Sequence, residues 1–192
     1  YSAKREWQTR WSCIEKEIAH YEIKSLLDIG CAEGFFARLA AEKYNIFSIG
    51  VESNNKRLWP GELSGMHVDV EGFAIVKALM TPTSIASLPK FEMVLVLSVL
   101  HHIFRSGGHK GAIEFMSAIR LITGKRLIFE MGTSDETMNS WAEIMPKGNQ
   151  GQFELLSSIL QEAGFTDIRQ LASTPGIKLD AERLIVSASP EA

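Results

Sequence analysis

The run Ser25-Leu26-Leu27-Asp28-Ile29-Gly30-Cys31-Ala32-Glu33-Gly34-Phe35-Phe36 constrains this chain more than any other stretch. Ser25 to Gly30 reads as a buried strand, and Gly30 and Gly34 mark a turn. From Glu33 to Tyr44 the apolar residues Phe36, Leu39, Ala40 and Tyr44 recur on one helical face. A strand that runs through a glycine-marked turn directly into a helix is the opening unit of an α/β sheet. The two glycines remove side chains where backbone must approach a ligand, and the free amides of the helix start favour the ligand's negative end.

The rest of the chain continues the alternation. Trp7, Trp11, Ile14 and Ile18 fall at helical spacing within about Lys4 to His20, which predicts an amphipathic helix that packs on the domain or roofs a ligand site. Further strands are expected at Ile46 to Glu52, Phe73 to Met80, Phe91 to Ser98 and Arg126 to Met131. Between them lie a short helix or loop from Asn54 to Leu63 broken at Pro60-Gly61, one helical turn at Ser84 to Leu88, and an amphipathic helix from Gly111 to Ile122. Asp69-Val70-Glu71 reads as a turn entering the third strand. A helix from Gln152 to Ala163, capped by Gly164, precedes two last strands at Thr166 to Ala172 and Arg183 to Ala188. Helix crossovers between the first five strands imply a parallel sheet covered on both faces. The last connection, Ser173 to Glu182 with Pro175-Gly176, suits a reversal, so the final strand should be antiparallel. The expected fold is a single α/β domain over residues 1–192: a Rossmann-like, doubly wound, mostly parallel seven-stranded sheet, with residues 1–24 as the packing or roofing helix.

The bulk properties narrow the function classes. At 192 residues one domain with a substantial core is natural, and a net charge of −3 gives no general attraction to a phosphate backbone, so a nucleic-acid partner is disfavoured. Two cysteines make no disulfide framework and fit a reducing, cytoplasmic setting. No apolar run is long enough to span a bilayer. The opening Tyr1-Ser2-Ala3-Lys4-Arg5-Glu6-Trp7 lacks the apolar core of a signal peptide and an initiator methionine, so a processed product or a piece of a longer protein with a fused domain is expected.

The turn separates two cofactor classes. A dinucleotide fingerprint requires glycine at its first, third and sixth positions, which here are Gly30, Ala32 and Phe35; the phenylalanine fills the place where helix and strand must touch. The spacing Asp28-x-Gly30-x-Ala32-x-Gly34 instead resembles the first motif of class I methyltransferases that use S-adenosylmethionine (SAM), with Ala32 where the family usually has glycine. The resemblance implies that Asp28 helps hold the amino group of the methionine moiety and that Gly30, Cys31, Ala32, Gly34 and Phe35 line it. Val51-Glu52 resembles the acidic end of the second strand, which implies that Glu52, with Ser53 beside it, binds the ribose; a carboxylate accepts from two hydroxyls at once. Leu97-Ser98-Val99-Leu100-His101-His102 resembles the end of the fourth strand, which implies that Ser98 borders the methyl donor. An acid after the third strand, expected in the family near the adenine, is missing from Leu79-Met80-Thr81-Pro82, which leaves Thr81 or backbone groups for that side. The product would be S-adenosylhomocysteine (SAH).

Methyl transfer from a sulfonium needs an aligned nucleophile, a dry site, and a base only where the nucleophile carries a tightly held proton. His101 and His102 follow the fourth strand at the ligand edge and are candidates for base or acceptor contact; as neighbours in extended chain they point to opposite sides, so one at most faces the site, the alternative for each being strand-end packing. No second ligand pair accompanies them, so no metal is expected. Arg105, His109 and Lys110 around Gly107-Gly108 read as a basic loop beside the acceptor side. Glu130 ends the fifth strand at the same edge, where it binds an acceptor hydroxyl or pairs with a cation. Residues 133–150, with Trp141 and Met145, suit a lid or acceptor wall. The string from Ser98 to Ile103 with Glu130 also resembles methyltransferases that cap bacterial O-antigen chains and those of the Bin3 type, which implies an acceptor oxygen on a glycan, a phosphate or a small metabolite. The competing readings are a dehydrogenase, opposed by Ala32 and Phe35, an RNA methyltransferase, opposed by the acidic balance, and a catalytically silent module of the same fold that regulates a larger protein. The oligomeric state is not readable from the sequence.

Overall fold

The computed structural model describes residues 7–57, 70–136, 140, 142–175 and 182–190. Pro60-Gly61, Trp141, Asp69, Gly176 and the residues before Trp7 lie outside the described residues. The elements are α1 (Trp7–His20), β1 (Ser25–Ile29), α2 (Phe35–Tyr44), β2 (Phe47–Glu52), β3 (Phe73–Lys77), α3 (Pro82–Ala86), β4 (Phe91–Leu97), α4 (Leu100–Ile122), β5 (Thr123–Glu130), a 3₁₀ turn (Ala142–Ile144), α5 (Gly148–Glu162), β6 (Phe165–Pro175) and β7 (Glu182–Pro190). One sheet holds all seven strands in the order β3-β2-β1-β4-β5-β7-β6. Neighbours pair in parallel from β3 through β5, and β7 runs antiparallel to both β5 and β6. The expected mixed sheet with a reversed last strand is therefore present.

Strand periodicity divides the core between the two faces. Leu27, Val94, Val96, Leu127, Phe129, Leu184 and Val186 meet α4 and α5 through Phe115, Met116, Ile119, Leu156 and Ile159. The intervening residues Leu26, Met93, Leu95, Ile128 and Ile185 meet α1 and α2 through Trp11, Ile14, Ile18, Phe36 and Ala40. Both faces of β4 are dry, which explains why Met93-Val94-Leu95-Val96 carries no charge.

Two boundaries differ from the sequence reading. β3 ends at Lys77 rather than Met80, because Leu79 is 73% exposed and α3 is capped at Thr81. The stretch from Leu100 to Lys110, read as a loop, is helical: α4 starts at Leu100 and breaks only at Gly108, whose φ of 61° and ψ of −160° are non-helical. Among the described residues no helix is long and apolar enough to cross a membrane.

Candidate functional site

The carboxyl ends of β1 and β4, the adjacent inner strands, and the turn after β1 enclose a cavity lined by Asp28, Gly30, Cys31, Ala32, Phe36, Arg57, Leu97 and Ser98. The turn is left-handed at three alternate residues: Gly30 (φ 75°), Ala32 (φ 51°) and Gly34 (φ 71°). Ala32 accepts a conformation that glycine adopts freely and an L-residue resists. The turn is fastened by the Gly30 and Cys31 N–H groups, which donate to the Val51 carbonyl at 2.8 and 3.1 Å, and by Gly34 N–H to the Cys31 carbonyl at 2.9 Å.

The glycines do more than clear space for a ligand. A Cβ on Gly34 would lie 2.7 Å from Ile75 Cδ1 and 3.0 Å from Phe73 Cζ, and one on Gly30 would overlap Val99 Cγ2. Close packing against β3 and against the residue before α4, together with positive φ, fixes these two glycines, whatever approaches the turn.

Glu52, at the end of β2, is 7% exposed and turns back onto the β1 turn. Its Oε2 accepts from Ala32 N–H at 3.0 Å and its Oε1 from Asn54 N–H at 2.8 Å, with Ser53 Oγ at 3.5 Å. Asp28 is 2% exposed beneath the turn. Burial, and then the neighbouring Glu52 charge, push its carboxyl up to about 7. The same causes, burial first and then Asp28 and Glu52, push the Cys31 thiol far above its ordinary value. This side of the cavity thus brings together two buried acidic groups and an inert thiol, with Arg57 the cation on the lining.

The β4 end is built differently. Ser98 takes φ 63°, a second left-handed non-glycine residue against the cavity. Its Oγ donates to Glu130 Oε1 at 2.7 Å, and its N–H donates to the Glu130 carbonyl at 2.9 Å. Glu130 is fully buried and pairs with Arg10 of α1 and with Arg183 of β7. Burial alone would raise its carboxyl, but Arg10, Arg183 and the Ser98 hydroxyl outweigh it and hold the group below the usual carboxylate range. A carboxylate held in that way is a poor proton acceptor. The cations that pair with it come from α1 and β7, not from the segment beside the acceptor side.

The two histidines sit on the first turn of α4, so they are about a quarter-turn apart rather than on opposite sides of an extended chain. Their rings are 4.2 Å apart. His101 is buried, and its Nδ1 accepts from Gly132 N–H at 3.2 Å, which ties α4 to the chain beyond β5. His102 stands at the surface, partly shielded from water; that shielding, followed by the charges of Arg57, Arg105 and Arg183, pulls its imidazole below the ordinary histidine value. His109 lies 3.8 Å from Glu162 of α5 and Lys110 3.8 Å from Glu114 of α4, both at the surface.

Of the residues singled out from sequence, Asp28, Gly30, Cys31, Ala32 and Ser98 line the cavity, with Glu52 bonded to its wall. Phe35 lies one residue off: its ring meets Trp7 at 5.2 Å, and Phe36 lines the cavity in its place. Thr81 caps α3, where its Oγ1 accepts from Ser84 N–H at 3.2 Å, and it does not border this cavity. Arg57, Leu97 and Phe36 were not foreseen; Leu97 and Phe36 adjoin residues that were, whereas Arg57 carries no sequence signal of its own. Of residues 133–150, Thr133, Glu136 and Met145 are buried and the 3₁₀ turn lies between them.

No protein-family model matches the chain, and no curated protein matches it in sequence. Solved structures do match in shape. WbdD, described as a bifunctional kinase-methyltransferase, superposes with a TM-score of 0.77 at 20% identity over 97% of this chain; the chain spans 41% of that protein's length. Magnesium protoporphyrin IX methyltransferase (ChlM) from Synechocystis PCC 6803, solved with bound SAH, superposes with a TM-score of 0.70 at 18% identity, over 96% of this chain and 83% of that one. The methyltransferase domain of bacterial CtHen1 superposes with a TM-score of 0.68 at 12% identity, over 95% of this chain and 98% of that one. With the strand order, the reversed seventh strand and the left-handed β1 turn, these likenesses establish that the chain has the Rossmann-like fold of class I SAM-dependent methyltransferases.

Proposed function

We propose that this chain transfers a methyl group from SAM to an acceptor oxygen on a glycan, a phosphate or a small metabolite. The observation that carries the reading is the pairing of Glu52 with the Ala32 amide across the left-handed turn, with Asp28 buried below. The residues fit the cofactor. Two buried acidic groups, one of them raised to about 7 by burial and by the charge of the other, suit a ligand that brings an ammonium and a sulfonium. Asp28 would take the amino group, Glu52 with Ser53 the ribose hydroxyls, and Gly30, Cys31, Ala32 and Gly34 the close approach of backbone, with Phe35 closing the α1 side through Trp7. Ser98 would border the reacting end. The Thr81 hydroxyl is committed to its cap, so backbone groups beyond β3 would serve the adenine. When bound, SAM supplies a methyl carbon already activated by its sulfonium.

The chain's own part is positioning and proton handling. His102, its imidazole pulled below the ordinary value, would take the acceptor's proton. His101 positions α4 through Gly132, and Glu130 acts by holding Ser98 rather than by taking a proton. Arg57 and Arg105, which bear on His102, favour an anionic acceptor. Residues 133–150 would form the acceptor wall. The buried Asp28 and Glu52 speak for a working cofactor site over a silent module.

Calorimetric titration with SAM, SAH and NAD tests the reading. SAM and SAH should bind and NAD should not. Glu52→Ala should weaken SAH by about 1–3 kcal/mol, as expected for a lost buried partner. Binding of NAD alone would end the proposal.

A further inference from the structure

We propose that Ser98, Glu130 and Arg183 form one positioning unit that sets the floor of the cavity, and that Glu136 ties this unit to the chain beyond β5. The inference rests on reading the cavity as a SAM site. Ser98 alone of these residues faces the cavity. Its left-handed backbone is one that serine adopts only under constraint, and the constraint is visible. Glu130 holds both its N–H, through the backbone carbonyl at 2.9 Å, and its hydroxyl, through Oε1 at 2.7 Å. Arg183 Nη1 donates to the same hydroxyl at 2.6 Å and to Glu130 Oε1 at 3.1 Å.

The other two nitrogens of Arg183 reach Glu136 in a fork: Nη2 donates to Oε2 at 2.6 Å and Nε donates to Oε1. Arg10 closes Glu130 from α1, its Nη2 donating to Oε1 at 3.1 Å and to Thr174 Oγ1 at 3.3 Å. Four charged groups, each 1% exposed or less, therefore converge from α1, β5, β7 and the segment after β5.

Burying two guanidiniums and two carboxylates is not an economical route to stability, since desolvation roughly offsets their attraction. What the arrangement supplies is direction. Each hydrogen bond fixes an angle, and the bonds of Glu130 and Arg183 meet on Ser98, a strained residue at the cavity. The fork of Arg183 is required for this, because only a planar guanidinium serves Ser98 and Glu136 at once. Arg183 also bears on the His102 imidazole, its charge adding to those of Arg57 and Arg105 that, after burial, pull that group below the ordinary histidine value.

The test compares SAH affinity by calorimetry with thermal stability in the full chain. Ser98→Ala deletes the hydroxyl and leaves the Arg183–Glu130 pair intact. It should weaken SAH about fivefold to tenfold, the effect of one lost hydrogen bond, while its Tm falls by no more than about 4 °C. Arg183→Lys keeps the charge and loses the fork, and should weaken SAH similarly. Glu136→Gln should also weaken SAH, although Glu136 does not line the cavity. Adding Ser98→Ala to Arg183→Lys should lower affinity no further than the weaker single variant, because both break one unit. If Arg183→Lys fails to fold, the Ser98→Ala titration decides. Wild-type binding with unchanged affinity in Ser98→Ala overturns this inference alone; a wild-type chain that takes up no SAH overturns the cofactor reading beneath it.

Discussion

Two residues of the turn carry opposite lessons about what a single side chain can do. Ala32 has a Cβ where the backbone favours none, at φ 51°. Ala32→Gly relieves that strain, while the freer unfolded chain takes back part of the gain. The expected net effect is a stabilisation of about 0.5–1 kcal/mol in urea unfolding, with the Glu52 contact retained because it uses the backbone amide. Asp28 works through protons. Its carboxyl in the fold is raised to about 7, above its ordinary value of 3.8, so the folded chain keeps a proton that the unfolded chain releases between about pH 4 and 7. Stability contributed by this group therefore falls as pH rises through that window, by up to about 1.4 kcal/mol per pH unit. Asp28→Asn removes the slope. The stability of the variant minus that of the wild type should grow from pH 5 to pH 8 in paired urea melts, and SAH affinity should drop in the same variant. A difference that stays flat with pH shows that Asp28 is not protonated in the fold.

At the scale of elements, local pattern and long-range assembly diverge. The β1 turn, the uncharged β4 and the reversed β7 are legible because each is written in consecutive residues with a clear period. The first half of α4 is not, since Gly107-Gly108 reads as an interruption and masks the helical spacing of Leu100, Ile103 and Phe104 that packs it. Its break at Gly108 leaves a short helical piece, directly after β4, that carries His101, His102 and Arg105. Of the network around Ser98 only Glu130, at the same sheet edge and able to pair with a cation, is legible: Arg10, Glu136 and Arg183 are scattered through the sequence, and only the sheet order brings them together. Two expected outcomes belong here. Once an acceptor is in hand, His102→Ala should lower kcat by roughly 100-fold, within the range for general bases, with little change in SAH affinity. Because the imidazole is pulled below the ordinary 6.5, wild-type turnover should already be on its plateau near neutral pH and be lost on acidification below that value. Gly34→Ala should cost about 1–3 kcal/mol of stability, as its methyl meets Ile75 and Phe73 and its φ is left-handed.

The whole molecule is fastened by a third buried arginine. Arg126 of β5 donates to Glu17 of α1 at 3.0 Å, to Asp167 of β6 at 2.7 Å and to Ser187 of β7. Together with the pairing of Arg10 and Glu130, this makes α1 part of the sheet's far side rather than an appended helix. Removing one partner of such a buried pair leaves a stranded charge, so Glu17→Ala should lower stability by about 3 kcal/mol in chemical denaturation, even though Glu17 is remote from the cavity. The direction of β7 has an architectural consequence. Since β7 alone descends where its neighbours ascend, its first residues, among them Arg183, arrive at the rim where the crossovers open, and its last, Pro190, departs from the opposite rim. A substitution at Pro190 should therefore leave ligand uptake undisturbed, whereas one at Arg183 should impair it.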